Sequence, residues 1–198
     1  MIQLTQQEKE FIQNILKPFL KKNDWASIRK KLQMTDRNTR QNIYIFFIEN
    51  DLPILSGLSV IPKKLFNTTP ISHITIPKNI KTIEEAAFMN CQNLTSVIIE
   101  DGVTTIKANA FADTHLNSIT LPESIEYIGT GAFRNSNLQQ INIPDKITDL
   151  LTGTFDGCSD NLVIYANSRK NLPAAYKLRV PTDEVDFYKQ HLKLKTED

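Results

Sequence analysis

The chain has 198 residues, of which 40% are hydrophobic and 23% charged, and its formal net charge is +1. This is the balance of a globular protein, and near-neutrality excludes a molecule that binds nucleic acid or an anionic membrane through its overall charge. No apolar run reaches the roughly 18 residues a membrane-spanning helix needs, and the start MIQLTQQEKEFIQ lacks a basic stretch leading into an apolar one, so no secretory signal is read and a cytoplasmic location is expected.

Residues 5–50 read as helical. Thr5 and Glu8 have the spacing of a capping box and precede the apolar series Phe11, Ile12, Ile15 and Leu16. Pro18 is expected to end or kink that helix. Asn23 or Asp24 can cap a second helix carrying Trp25, Ile28 and Leu32. Thr35 or Asp36 can cap a third, with Ile43, Phe46 and Phe47 near its end. Residues 1–50 hold nine basic and five acidic groups, a balance of +4. Arg29, Lys30, Lys31, Arg37 and Arg40 straddle a helix–turn–helix-like stretch. They admit a nucleic-acid reading, with Arg29, Lys30, Arg37 and Arg40 as the contacts. The modest charge density favours a solvated face on a capping bundle instead.

From residue 52 the chain repeats itself. Phe66, Phe88, Phe111, Phe133 and Phe155 are spaced by 22, 23, 22 and 22 residues. After the first four comes an apolar residue (Ile71, Leu94, Leu116, Leu138), then an alternating pair: Ile74 and Ile76, Val97 and Ile99, Ile119 and Leu121, Ile141 and Ile143. Pro77, Pro122 and Pro144 fill the next slot, with Glu100 as the exception. A pair spaced by three follows: Ile80 and Ile83, Val103 and Ile106, Ile125 and Ile128, Ile147 and Leu150. Ala87, Ala110, Ala132 and Thr154 precede the next phenylalanine, and Leu58, Ile61 and Phe66 form a half-unit at the start.

The alternating pair has period two, so both side chains leave one face of a short strand. One such strand cannot bury that face alone; stacking the next copy on it builds a parallel sheet over continuous apolar columns. Proline, which lacks a backbone donor, suits the strand end. The unit resembles the BspA-like class of leucine-rich repeats, with its pattern Leu-x-x-Ile-x-Ile-Pro-x-x-Val-x-x-Ile-x-x-x-Ala-Phe-x-x-Cys, over about residues 58–165. The cysteine slot falls on Cys91 and Cys158, with Thr69, Thr114 and Ser136 near it in a shorter turn. The resemblance implies an α+β fold: a right-handed solenoid of about 4–5 repeats that binds another macromolecule. Small members of the class in bacterial and phage genomes have a similar organisation. The expected division is a helical cap over 1–51, a solenoid over 52–165, and a closing segment over 166–198 that resembles the way such arrays close. Its short final helix would start behind Thr182.

Catalytic signals are thin. His73, His115 and His191 lie 42 and 76 residues apart, without metal-ligand spacing, and the six glycines form no phosphate loop. Both cysteines fall in packing slots. No enzyme activity, metal or cofactor is expected. The residues alternating with the buried ladder point outward in two columns: His73, Ser96, Ser118 and Gln140, and Thr75, Ile98, Thr120 and Asn142. Glu100, Asp101, Glu123 and Asp145 flank them. This uncharged strip suits a protein partner with a polar or basic surface and is a poor surface for nucleic acid. Three functions follow as expectations: a protein-interaction module using the strand face or the cap, a phage or mobile-element inhibitor of a host enzyme, or a nucleic-acid binder through the basic helices.

Overall fold

The computed structural model describes residues 4–22, 24–50 and 53–166. The closing segment beyond 166, with the helix expected behind Thr182, and the alternative cap Asn23 lie outside the described residues. Thr5 and Glu8 close the expected capping box at the head of α1 (Gln6–Phe11): the Glu8 N–H donates to the Thr5 hydroxyl at 3.3 Å and the Thr5 N–H to the Glu8 carboxylate at 2.7 Å. Pro18 does not end this helix. Residues Ile12–Leu16 widen into a π turn, and α2 (Lys17–Leu20) continues with Pro18 in its first turn. Proline removes one N–H and crowds the carbonyl four residues back; a wider turn, in which the Lys17 N–H reaches the Ile12 carbonyl, absorbs both effects. Asp24 caps α3 (Trp25–Leu32) and Asp36 caps α4 (Arg37–Glu49), accepting the N–H groups of Ser27 and Thr39. These hydrogen bonds hold both carboxyls below the ordinary range.

The repeats stack as parallel coils. One sheet gathers β1 (Val60–Ile61), β3 (Thr82–Ile83), β5 (Thr105–Ile106), β7 (Tyr127–Ile128) and β9 (Asp149–Leu150). The other side carries β2 (His73–Ile76) on β4 (Ser96–Ile99), and β6 (Ser118–Ile119), β8 (Gln140–Ile143) and β10 (Val163–Ala166) in sequence. A single bridge between Ile98 and Thr120 joins the two groups. The register advances one repeat per strand, with Ile74 against Val97 and Ile83 against Ile106. Glu100, the exception in the proline slot, reaches to the coil below, where its carboxylate accepts the Lys78 N–H at 2.9 Å.

Between the sheets the five phenylalanines form a spine. Successive rings lie nearly parallel, with centroids 5.1, 5.1, 5.6 and 5.8 Å apart. Each coil then turns tightly on both sides of its phenylalanine. The residues two before and two after it adopt a left-handed backbone: Lys64 and Thr68, Ala86 and Asn90, Asn109 and Asp113, Gly131 and Asn135, Gly153 and Gly157. The polar slot three residues after each phenylalanine is common to all five coils. Thr69, Cys91, Thr114, Ser136 and Cys158 are all buried there, rather than only two of them. The coils differ after that slot: Leu94 follows Cys91 by three residues, whereas Ile71 follows Thr69 by two. The Cys91 thiol bridges coils, donating to the Phe66 carbonyl at 2.8 Å, and Cys158 does the same to Phe133 at 3.1 Å.

The helices cover the first coil, and one apolar cluster runs from Leu16 and Ile28 through Phe47 and Phe66 to Ile164. Tyr44 meets Phe66 edge-on at 6.1 Å. The buried amide of Gln41 donates to the Leu65 carbonyl at 2.7 Å, and the Arg29 guanidinium donates to the carbonyls of Ile54 and Ser56. The coil's end-facing carbonyls, which have no preceding coil to pair with, thus find donors on the helices.

Candidate partner-binding face

Alternation in β2, β4, β6 and β8 turns every second side chain outward. His73, Thr75, Ser96, Ile98, Ser118, Thr120, Gln140 and Asn142 are all exposed on one side of the solenoid, as the alternation predicts. Register pairs His73 with Ser96, Thr75 with Ile98, Ile98 with Thr120, and Ser118 with Gln140. β10 extends both columns, setting Val163 beside Gln140 and Tyr165 beside Asn142. The columns expected from the sequence end one strand short of these two residues, although the alternation of Leu162 and Ile164 signals them. Ile98 is 59% exposed, a large apolar side chain between two threonines.

At its N-terminal end the face meets the cap in a groove of about 370 Å³, where Ile48, Pro53 and Leu55 face His73, Thr75 and Pro77. Sequence periodicity could not find this groove, because its walls come from α4, the half-repeat and β2. Glu100, Asp101, Glu123 and Asp145 are exposed where the strands end. The basic residues of the helices do not form one surface with the strand face. Arg29 holds backbone carbonyls, and Lys30 is exposed on α3. Arg37 and Arg40 instead line a second cleft beside Lys63 and Lys64.

Among the described residues, no group of three or more His, Cys, Asp or Glu side chains could hold a metal ion, and no helix is long and apolar enough to cross a membrane. Burial pushes the Cys91 thiol above its ordinary range, against the smaller opposing effect of its hydrogen bond with Thr69.

Stacked parallel coils, an outward strand face and a covered first coil define a leucine-rich-repeat solenoid, a class of protein that generally serves as a non-enzymatic binding scaffold. The family model described as "BspA type Leucine rich repeat region (6 copies)" matches residues 54–175, more than half of the chain, and the chain belongs to that family. Among solved structures it is similar to a leucine-rich repeat protein from Bacteroides ovatus ATCC 8483, at 30% identity and a TM-score of 0.52, over 55% of this chain and 29% of that one. It is also similar to a leucine-rich repeat protein of T. pallidum, with a TM-score of 0.54 over 71% of this chain and 81% of that one; at 21% identity the likeness is one of fold. The chain thus spans less than a third of the Bacteroides ovatus protein. No curated protein matches it.

Proposed function

We propose that this chain is a non-enzymatic protein-interaction module that receives a folded protein partner on its strand face. The observation that carries this reading is Ile98, 59% exposed among the polar side chains of β2, β4, β6 and β8 and one strand away from the groove beside Thr75. An apolar anchor with a polar surround is the pattern of an interface hot spot. The acidic groups at the strand ends favour a partner with a basic rim, which would raise the association rate more than the affinity. A phage or mobile-element inhibitor is the special case in which the partner is a host enzyme. Nucleic-acid binding through Arg29, Lys30, Arg37 and Arg40 has less support, since Arg29 is engaged with backbone carbonyls and Lys30 does not line the cleft that Arg37 and Arg40 share.

The test is site-directed photocrosslinking in a lysate of the cell of origin, with the crosslinker at position 98 and, as a control, at exposed Glu126 next to the opposite sheet. One polypeptide should be captured from position 98 and not from 126. Purified, it should bind Ile98→Glu at least about tenfold more weakly than the parent. Equal binding of the two would refute this assignment of the face. Assaying the captured polypeptide's own activity with and without the chain tests the inhibitor case.

A further inference from the structure

The cleft between α4 and the first coil has a volume of about 400 Å³, and its lining includes Arg37, Arg40, Lys63 and Lys64, together with the amides of Gln33 and Gln41. No carboxylate lines it. Arg37, Arg40 and Lys64 bring three cations to one recess, where they repel each other, and the described residues relieve little of this. Lys63 pairs with Glu85 at 2.8 Å on the neighbouring coil, outside the lining. The side chains of Arg40 and Lys64 have no ion pair or hydrogen bond among the described residues. Arg37 spends only Nη2, on the Lys64 carbonyl at 3.3 Å and the Asn67 amide oxygen at 3.5 Å. That fixes the guanidinium and leaves its remaining N–H groups for another acceptor.

A second observation is independent of charge. Lys64 sits at φ 56°, in the left-handed region, and the equivalent positions of later coils are Ala86, Asn109, Gly131 and Gly153. This turn is common to all five coils, and it fixes the backbone from which the Lys64 side chain leaves. The position places the lysine at the cleft.

The geometry points to this cleft as a binding site for a phosphate monoester. Two guanidiniums offer planar forks and the Lys64 ammonium offers a point charge, a set that matches three phosphate oxygens better than the two oxygens of a carboxylate. The ester can be free, as a small metabolite, or be carried on a phosphorylated side chain of a protein. Both present the same dianion.

The test is titration of the full chain, followed by backbone NMR shifts, at about 0.15 M salt, where the screening length is about 8 Å and diffuse attraction is suppressed. The probes are phenyl phosphate, a short phosphoserine peptide, phenylacetate, and a single-stranded oligonucleotide. The expected result is saturable one-site binding of a phosphate monoester, with shifts at Arg37, Arg40 and Lys64 and no saturation by phenylacetate. If only the phosphopeptide saturates, the source is a protein side chain; if phenyl phosphate binds equally well, it is a small ester. Arg40→Gln and Lys64→Gly should each weaken binding at least fivefold. Lys64→Gly should at the same time raise the melting temperature, because glycine relaxes the left-handed turn, so loss of binding cannot be ascribed to misfolding. Unchanged binding in both variants, equal binding of phenylacetate, or preference for the oligonucleotide overturns the assignment.

Discussion

Thr68 and Ala86 both sit in the left-handed region, at φ 62° and 55°, where most other coils use Asn, Asp or Gly. A side chain there costs about 1–2 kcal/mol, while glycine in its place loses about 0.5–1 kcal/mol more chain entropy on folding. Thr68 is exposed, so Thr68→Gly gives up no buried surface and should stabilise by about 0.5–1 kcal/mol. Ala86 is 2% exposed, and removing its methyl forfeits a further ~0.8 kcal/mol of burial. Ala86→Gly should therefore be close to neutral. Urea midpoints decide the matter: a destabilised Ala86→Gly beside a neutral Thr68→Gly would show that burial, and not backbone conformation, governs these turns. Asn90, Asn109, Asp113, Gly131, Asn135, Gly153 and Gly157 carry this turn signal in the sequence, and Lys64, Thr68 and Ala86 obscure it by breaking the residue class.

The two thiols make a second residue-scale case. Both are free and buried, three coils apart in the same slot. At about 4.8 Å per coil that separation is roughly 14 Å, twice the reach of a disulfide. Burial raises the folded pKa of Cys91, so the thiol's contribution to stability is fully present below the pKa of an unfolded cysteine and is lost as pH rises through the folded value. A thiol reagent near pH 8 should react slowly with the native protein and count two thiols after unfolding. A fast native phase would mean an accessible thiolate and would contradict the packing role of this slot.

At the scale of the element, strand register was readable because period two and a fixed repeat length leave only one alignment. The same alternation makes a sharp prediction on β4. Val97 is 5% exposed and Ser96, its neighbour in sequence, faces solvent. Val97→Asp buries an unpaired carboxyl and should cost about 3 kcal/mol or more, while Ser96→Asp should stay within about 0.5 kcal/mol. Thermal midpoints that fall together would contradict the register. The first helix was less legible. Its cap is local chemistry and was evident from Thr5 and Glu8, but the effect of Pro18 depends on how the preceding turn can widen, and no single residue announces that.

For the whole molecule, the sequence showed which residues are basic but not where they meet. Arg29 and Arg37 became ligands for carbonyls of the first coil and its approach, and Arg40 joined Lys63 and Lys64 across more than twenty residues. That juxtaposition exists only because the helices lie on the end of the solenoid, and the same contact governs stability. Phe66 and Leu65 would otherwise open to water at the end of the stack, and the carbonyls of Ile54, Lys64 and Leu65 would lose the donors that Arg29, Arg37 and Gln41 supply. Repeat proteins need such terminal covers to remain soluble. Gln41→Ala should therefore lower the single unfolding transition of the full chain by about 1–3 kcal/mol, the penalty for stranding a buried acceptor. Removing residues 1–50 should leave a fragment that binds a hydrophobic dye and aggregates. The decisive comparison is calorimetric. If the fragment is a soluble monomer with the parent's melting curve, and Gln41→Ala does not move the parent's transition, then the helices contribute nothing to the end of the stack; they would form a unit of their own, free to carry a separate ligand.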